Sequence, residues 1–97
     1  MKYWLHPEAE NDLRGAAEFY LQQADAILAQ SFLAEFEHTV SLILHHPGLG
    51  ARWRNDKRRF ILRRFPFSVI YSVKSGEVRI LAIAHHSRRP GFWRGRK

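Results

Sequence analysis

At 97 residues the chain has room for one domain, residues 1–97, and its 45% hydrophobic content argues against disorder. It contains no cysteine, which excludes disulfides, thiolate nucleophiles and thiolate metal sites. The formal charge of +7 is split, because residues 1–50 carry two Lys/Arg and seven Asp/Glu whereas residues 51–97 carry fourteen and two. Twelve of the sixteen cations are arginine, which favours planar contacts with carboxylates and phosphates, so we expect the second half to hold an acidic partner.

The first half of the chain predicts a strand followed by two helices. Alternation over Lys2–His6 indicates a short strand, and Pro7 suits the first position of a helix. Asp25 can cap a second helix, which the pair Pro47-Gly48 ends. With so few residues between them, the helices should form an antiparallel hairpin. Their apolar stripes are Ala9, Leu13, Ala16, Ala17, Tyr20 and Ala24 in the first, and Leu28, Phe32, Leu33, Phe36, Val40, Ile43 and Leu44 in the second.

Beyond an expected loop at residues 49–56, the hydrophobic period shortens to that of a strand. The candidate strands are Arg58–Phe65, Phe67–Val73 and Glu77–His86, with a hairpin turn between the last two. The last strand is apolar on both faces, which is typical of a central strand covered on both sides. We therefore predict an α+β fold with an N-terminal strand, an antiparallel helical hairpin and then a three-stranded antiparallel sheet. The helices should pack on one sheet face.

Six histidines raise the question of a metal site, but their spacing does not favour one. His45-His46 and His85-His86 are adjacent pairs whose side chains diverge on a helix or a strand, and the sequence has no HExxH motif. The sequence also has no Gly-rich phosphate loop and no local Ser/His/Asp signature. We expect neither a metal nor a cofactor.

We expect a cytoplasmic protein that makes no contact with a membrane. The first residues lack the apolar stretch and the small-residue cleavage site of a secretory signal. Arg79 interrupts the most apolar stretch, Val78–Ala84, so no membrane span is expected.

Arginine and aromatic residues are interleaved through the second half, and this pattern has three interpretations. The aromatic rings could stack bases while guanidiniums hold phosphates, or both could anchor a protein interface. In the third, the phenylalanines form the core and the arginines are merely solvated. Alternation favours this third interpretation for Phe60 and Phe67 and leaves Phe92 and Trp93 open. The residues concerned are Arg58, Arg59, Phe60, Arg63, Arg64, Phe65, Phe67, His85, His86, Arg88, Arg89, Phe92, Trp93, Arg94 and Arg96.

Four strings of the sequence carry a family resemblance. They are HPEAENDL at the first helix, HHPGLG after the second, RRFPFSVIY across the middle strands and AIAHHSRRPGFWRGR at the end. With the order of elements, they resemble the RelE/ParE superfamily of bacterial type II toxin–antitoxin modules, the plasmid stabilisation proteins, over essentially the whole chain. The resemblance implies a toxin neutralised by an acidic, partly disordered antitoxin that wraps it and folds on binding. The charge split supports such a partner independently.

The resemblance leaves two targets, because members similar to RelE cleave mRNA on the ribosome whereas members similar to ParE poison DNA gyrase. The ribonuclease branch commonly has an arginine where this chain has Ser68. It also commonly ends in a proton-transferring tyrosine or histidine, near whose place this chain has Trp93. An indole N–H is no general acid at neutral pH. These two departures favour the ParE-like branch, which acts by binding a protein target.

Target contacts are expected from Arg63, Arg64, Arg88, Arg89, Trp93 and Arg96. In the alternative, an mRNA endonuclease, His85 or His86 would move the 2′-hydroxyl proton while Arg63, Arg64 and Arg88 stabilise the transition state. A third alternative is a decayed toxin that only binds its antitoxin. Trp4 and the first strand could support either a homodimer or a hetero-oligomer with the antitoxin.

Overall fold

The computed structural model describes residues 1–88 and 91–96, which form two helices and five strands. In chain order these are β1 (Lys2–Leu5), α1 (Pro7–Gln23), α2 (Ala26–His45), β2 (Ala51–Arg52), β3 (Lys57–Ile61), β4 (Phe67–Lys74) and β5 (Glu77–His85). The predicted α+β class is confirmed, as is the order of a strand, a helical hairpin and a sheet.

Both helices begin where the sequence supplies a cap. Pro7 opens α1, and His6 precedes it with Nδ1 accepting the backbone N–H of Glu8 at 3.0 Å. Asp25 caps α2 by accepting the backbone N–H of Leu28 at 2.8 Å. The two helices contact each other, and α1 lies against β5, so the hairpin covers one face of the sheet.

The five strands form one sheet in the order β1-β5-β4-β3-β2. Strand β1 runs parallel to β5, whereas the other neighbouring strands are antiparallel. The first strand of the chain therefore lies beside the last one. Strand β5 has a neighbour on each side, in agreement with its two apolar faces.

Two strand predictions needed correction. The strand expected at Arg58–Phe65 ends at Ile61, because the backbone N–H groups of Arg63 and Arg64 bind the side chain of Glu35 instead of a neighbouring strand. The loop expected at residues 49–56 contains the short strand β2, which pairs with β3.

Helix α2 also corrects the expectation that no segment approaches a membrane span. Its 20 residues are long and apolar enough to cross a membrane by length and composition alone. Four of its apolar side chains are nevertheless buried in the core between the hairpin and the sheet: Phe32, Phe36, Val40 and Ile43. The apolar pattern of α2 is therefore that of a core helix.

Apolar side chains cover the sheet on both faces, and the two coverings differ. The hairpin encloses the main core on one face. On the opposite face, which we call the helix-free face, Trp93 packs with Ile70 and Ala82, flanked by Trp53 and Phe92. Residues 91–96, the described part of what we call the basic tail (residues 87–97), therefore fold back onto the sheet instead of extending into solvent.

Candidate binding surface

The arginines between β3 and β4 lie beside α2. The carboxylate of Glu35 accepts the backbone N–H groups of Arg63 and Arg64 at 2.8 and 3.1 Å, and the Nε of Arg64 at 2.9 Å. Burial raises the pKa of Glu35, but the hydrogen bonds from Arg64 and Arg63 outweigh it and leave that pKa below its ordinary value. An internal carboxylate therefore neutralises Arg64, whereas Arg63 is exposed at a groove bounded by α2 and Phe60.

Arg96 holds the tail against the first helix. Its guanidinium donates to the Asp12 carboxylate at 2.7 Å and to the carbonyl of Leu81 at 3.0 Å. The side chains of Arg96 and Asp12 are only 9% and 12% exposed. Asp12 also accepts the backbone N–H of Ile83 at 3.1 Å, so one carboxylate joins α1, β5 and the tail. This enclosure leaves little of the Arg96 guanidinium available to a partner.

A second group of cations surrounds a cavity of about 120 Å³ on the helix-free face. The guanidinium carbon of Arg88 lies 3.8 Å from the ring centroid of Phe92, and that of Arg59 lies 5.5 Å from the centroid of Trp53. Both arginines are exposed, and neither takes part in an ion pair within residues 1–88 and 91–96. Cation–π stacking therefore orients two positive charges whose outer N–H edges are free of internal carboxylates.

The two candidate proton-transfer residues, His85 and His86, have different surroundings although both border this cavity. His86 is exposed, and its Nε2 lies 3.1 Å from the Oγ of Ser68. The ring of His85 meets Phe67 edge to face, with centroids 4.9 Å apart, and its Nδ1 accepts the backbone N–H of Ser87 at 3.0 Å. The divergence follows from strand geometry, in which successive side chains point to opposite faces.

The structure thus brings together part of the predicted set. His85, His86 and Arg88 border one cavity, whereas Arg63 and Arg64 line the separate groove beside α2. Within the described residues no group of three His, Asp or Glu side chains could hold a metal ion.

Trp93 departs from the exposed contact that its place in the basic tail suggested. It is 2% exposed, and its ring meets that of Trp53 with centroids 5.0 Å apart, so it supports the surface from beneath. Arg89, another expected contact, lies outside the described residues. Sequence reasoning missed Trp53, which stands in the segment taken as a loop. The signal was available, since an aromatic residue between Arg52 and Arg54 belongs to the same interleaved pattern.

Comparison with known proteins adds a family and a fold. The family model described as "ParE toxin of type II toxin-antitoxin system, parDE" matches residues 3–90. A solved structure described as "Chromosomal ParDE TA system from P. aeruginosa" is similar with a TM-score of 0.78. The two chains are 24% identical, and the match covers 88% of this chain and 95% of that chain, a likeness that shows the fold. No curated protein matches the chain.

Proposed function

This chain belongs to the ParE toxin family of type II toxin–antitoxin systems, and we propose that it acts as a toxin by binding DNA gyrase without catalysing a reaction. Such a module implies an antitoxin as its protein partner. We propose that this antitoxin is acidic and partly disordered, and that it neutralises the toxin in the cytoplasm by wrapping around it.

The observation that supports a binding role is the separation of two candidate catalytic arginines, Arg63 and Arg64, from the candidate histidines. Phosphoryl chemistry requires a proton-transfer group and cationic stabilisers within hydrogen-bond reach of the same reacting atoms. Arg63 and Arg64 line the groove beside α2, where Glu35 already binds the Arg64 guanidinium. His86 borders the other cavity, where Ser68 engages its Nε2. This division suits a surface that binds more than one that catalyses.

Arg88 is the side chain that we propose to contribute most to the target contact. Its guanidinium is exposed and already stacked on Phe92, so little conformational entropy is lost when it binds. Arginine and aromatic residues dominate the energetics of protein interfaces. Trp93 and Arg96 act in this proposal by holding the tail in place. The full proposed set is Arg63, Arg64, Arg88, Arg89, Trp93 and Arg96.

The proposal is tested by expressing the protein in cells and measuring gyrase-dependent DNA breaks. We expect Arg88→Ala to reduce the breaks about tenfold at equal protein level, as for an interface residue of high energy. Arg14→Ala, on the exposed side of α1, is the control and should leave them unchanged. Intact DNA together with cleaved mRNA would contradict a gyrase target. Unimpaired growth with antitoxin binding retained would indicate a decayed toxin.

A ribosome-dependent mRNA endonuclease is the second candidate, and one observation favours it. His86 borders the same cavity as Arg59 and Arg88, so a candidate proton-transfer residue lies near two cationic side chains. This candidate predicts that purified toxin cuts mRNA on ribosomes, and that His86→Ala or His85→Ala removes the cutting while the protein stays folded. An absence of cuts from the unaltered protein would exclude it.

A further inference from the structure

We propose that the cavity on the helix-free face binds a single strand of nucleic acid through an unpaired base and its phosphate. The inference goes beyond the gyrase proposal and does not rest on it, because the purified protein and a short oligonucleotide are enough to test it. It is carried by the aromatic rings, the free guanidinium edges and the dimensions of the cavity.

Two aromatic side chains on the cavity wall are partly accessible and bear arginines. Trp53 has the guanidinium carbons of Arg54 and Arg59 each 5.5 Å from its ring centroid, and its ring rests against the buried Trp93. The guanidinium carbon of Arg88 lies 3.8 Å from the ring centroid of Phe92. Surfaces in which rings alternate with guanidinium planes stack unpaired bases with little preference for sequence.

The phosphate would be bound by groups that have no acidic partner among residues 1–88 and 91–96. Arg59 and Arg88 expose their N–H edges at the cavity rim, and His86 adds an exposed imidazole bonded to Ser68. The planar fork of a guanidinium matches two phosphate oxygens. By contrast, Asp12 binds the enclosed guanidinium of Arg96, and Glu35 binds the Nε of the exposed Arg64. Arg59 and Arg88 differ from both in having no carboxylate partner among residues 1–88 and 91–96.

The size and floor of the cavity fit part of a strand better than a free ligand of drug size. About 120 Å³ is the room of about four waters and falls below the ~300–1,000 Å³ of a drug-sized site. Small side chains, Ser68 and Ala84, line it together with Ile70, so a flat ring can approach the sheet closely. A base would therefore lie against the rim while its neighbours stay in solvent. A base paired within a duplex cannot present its face in this way.

Fluorescence anisotropy with labelled oligothymidine and oligouridine of about ten nucleotides tests the inference, since such sites span about 4–16 nucleotides. We expect both oligonucleotides to bind, and the comparison of their affinities shows whether the site prefers DNA or RNA. Arg88→Gln and Arg59→Gln should each weaken binding about five- to tenfold. Each should also reduce the slope of log affinity against log salt concentration by about 0.7, the value for one lost phosphate contact to a single strand. Arg88→Lys, which keeps the charge and loses the planar stack, should weaken binding by an intermediate factor.

Two controls separate a built site from general attraction to a basic protein. Lys74→Gln, at the exposed end of β4, removes the same charge away from the cavity and should change affinity less than about twofold. An abasic strand of the same length should bind at least about fivefold more weakly, because stacking contributes about 1–3 kcal/mol per base. Absence of binding, an equal loss in Lys74→Gln, or equal binding of the abasic strand would overturn the inference. None of these results would bear on gyrase-dependent DNA breaks in cells.

Discussion

At the scale of single residues, the hydroxyl of Tyr71 organises the loop that leads to β2. Tyr71 is fully buried, and its hydroxyl donates to the carbonyl of Pro47 and accepts the N–H of Gly50, each at 2.8 Å. We expect Tyr71→Phe to lower the free energy of unfolding by about 1–3 kcal/mol, because both loop groups lose their partner. Urea denaturation measures this, with Tyr3→Phe at an exposed site as the control, expected within about 0.5 kcal/mol. A loss no larger than the control's would mean that water replaces the hydroxyl.

The ionisation of Glu35 is coupled to folding. Its pKa is lowered in the folded protein from an ordinary value near 4.5, since the hydrogen bonds from Arg64 and Arg63 outweigh the effect of burial. The stabilisation by its carboxylate is therefore complete above about pH 4.5 and is lost as the pH falls through the lower, folded-state pKa.

We accordingly expect Glu35→Gln to cost about 1–2 kcal/mol of unfolding free energy near pH 7, with the gap to the unaltered protein closing as the pH falls below about 4.5. Denaturation curves across that pH range measure the effect. Glu37→Gln, at an exposed position of the same helix, is the matched control. A gap that stays constant with pH would show that the carboxylate charge is not responsible.

At the scale of elements, the tail depends on the ion pair between Arg96 and Asp12. We expect Arg96→Ala to lower the free energy of unfolding by about 3 kcal/mol, because it leaves a largely buried carboxylate without its cation. It should also release the tail, which exposes Trp93 and increases acrylamide quenching of tryptophan fluorescence. Arg94→Ala, at an exposed position of the same tail, should do neither. Unchanged quenching in Arg96→Ala would mean that apolar packing alone retains the tail.

The elements themselves were largely predictable because their signals are local. Pro7 and Asp25 mark the helix starts, and the two-sided apolar pattern of β5 marks a central strand. What escaped prediction depends on pairs of distant residues, such as Glu35 with Arg64, or Lys2 with Glu77 across the parallel strands. Periodicity carries no information about such pairs. The candidate site was only partly predictable for the same reason. Composition identified the cations but not which of them internal carboxylates neutralise.

At the scale of the whole molecule, the exposed charge of the helical hairpin is mainly acidic and that of the later half of the chain is mainly basic. The exposed acidic residues of the hairpin are Glu8, Glu10, Glu18, Asp25 and Glu37. The exposed arginines of the later half include Arg52, Arg54, Arg59, Arg63, Arg64, Arg88 and Arg94. Such a molecule orients an approaching acidic protein towards its basic side before contact.

We therefore expect association with the proposed acidic antitoxin to slow at least about tenfold from about 0.01 M to about 0.15 M salt, as the Debye length shortens from ~30 Å to ~8 Å. Stopped-flow fluorescence measures the rate. Replacing Arg52 and Arg54 with glutamine should slow association at low salt and change dissociation little. Replacing Glu10 and Glu18 with glutamine should not slow it. A rate that does not respond to salt would argue against electrostatic steering.

The parallel pairing of β1 with β5 has a consequence for how the protein comes into being. Lys2 and Leu5 are synthesised well before their partners Glu77 and Ile80, which lie 75 residues further along the chain. Domains fold as units once their interacting segments are available, and pairings between the two ends of a chain form late. A partly translated chain therefore has an unpaired first strand and no closed sheet. The sheet on which the proposed target contacts depend is therefore complete only after β5 has been synthesised.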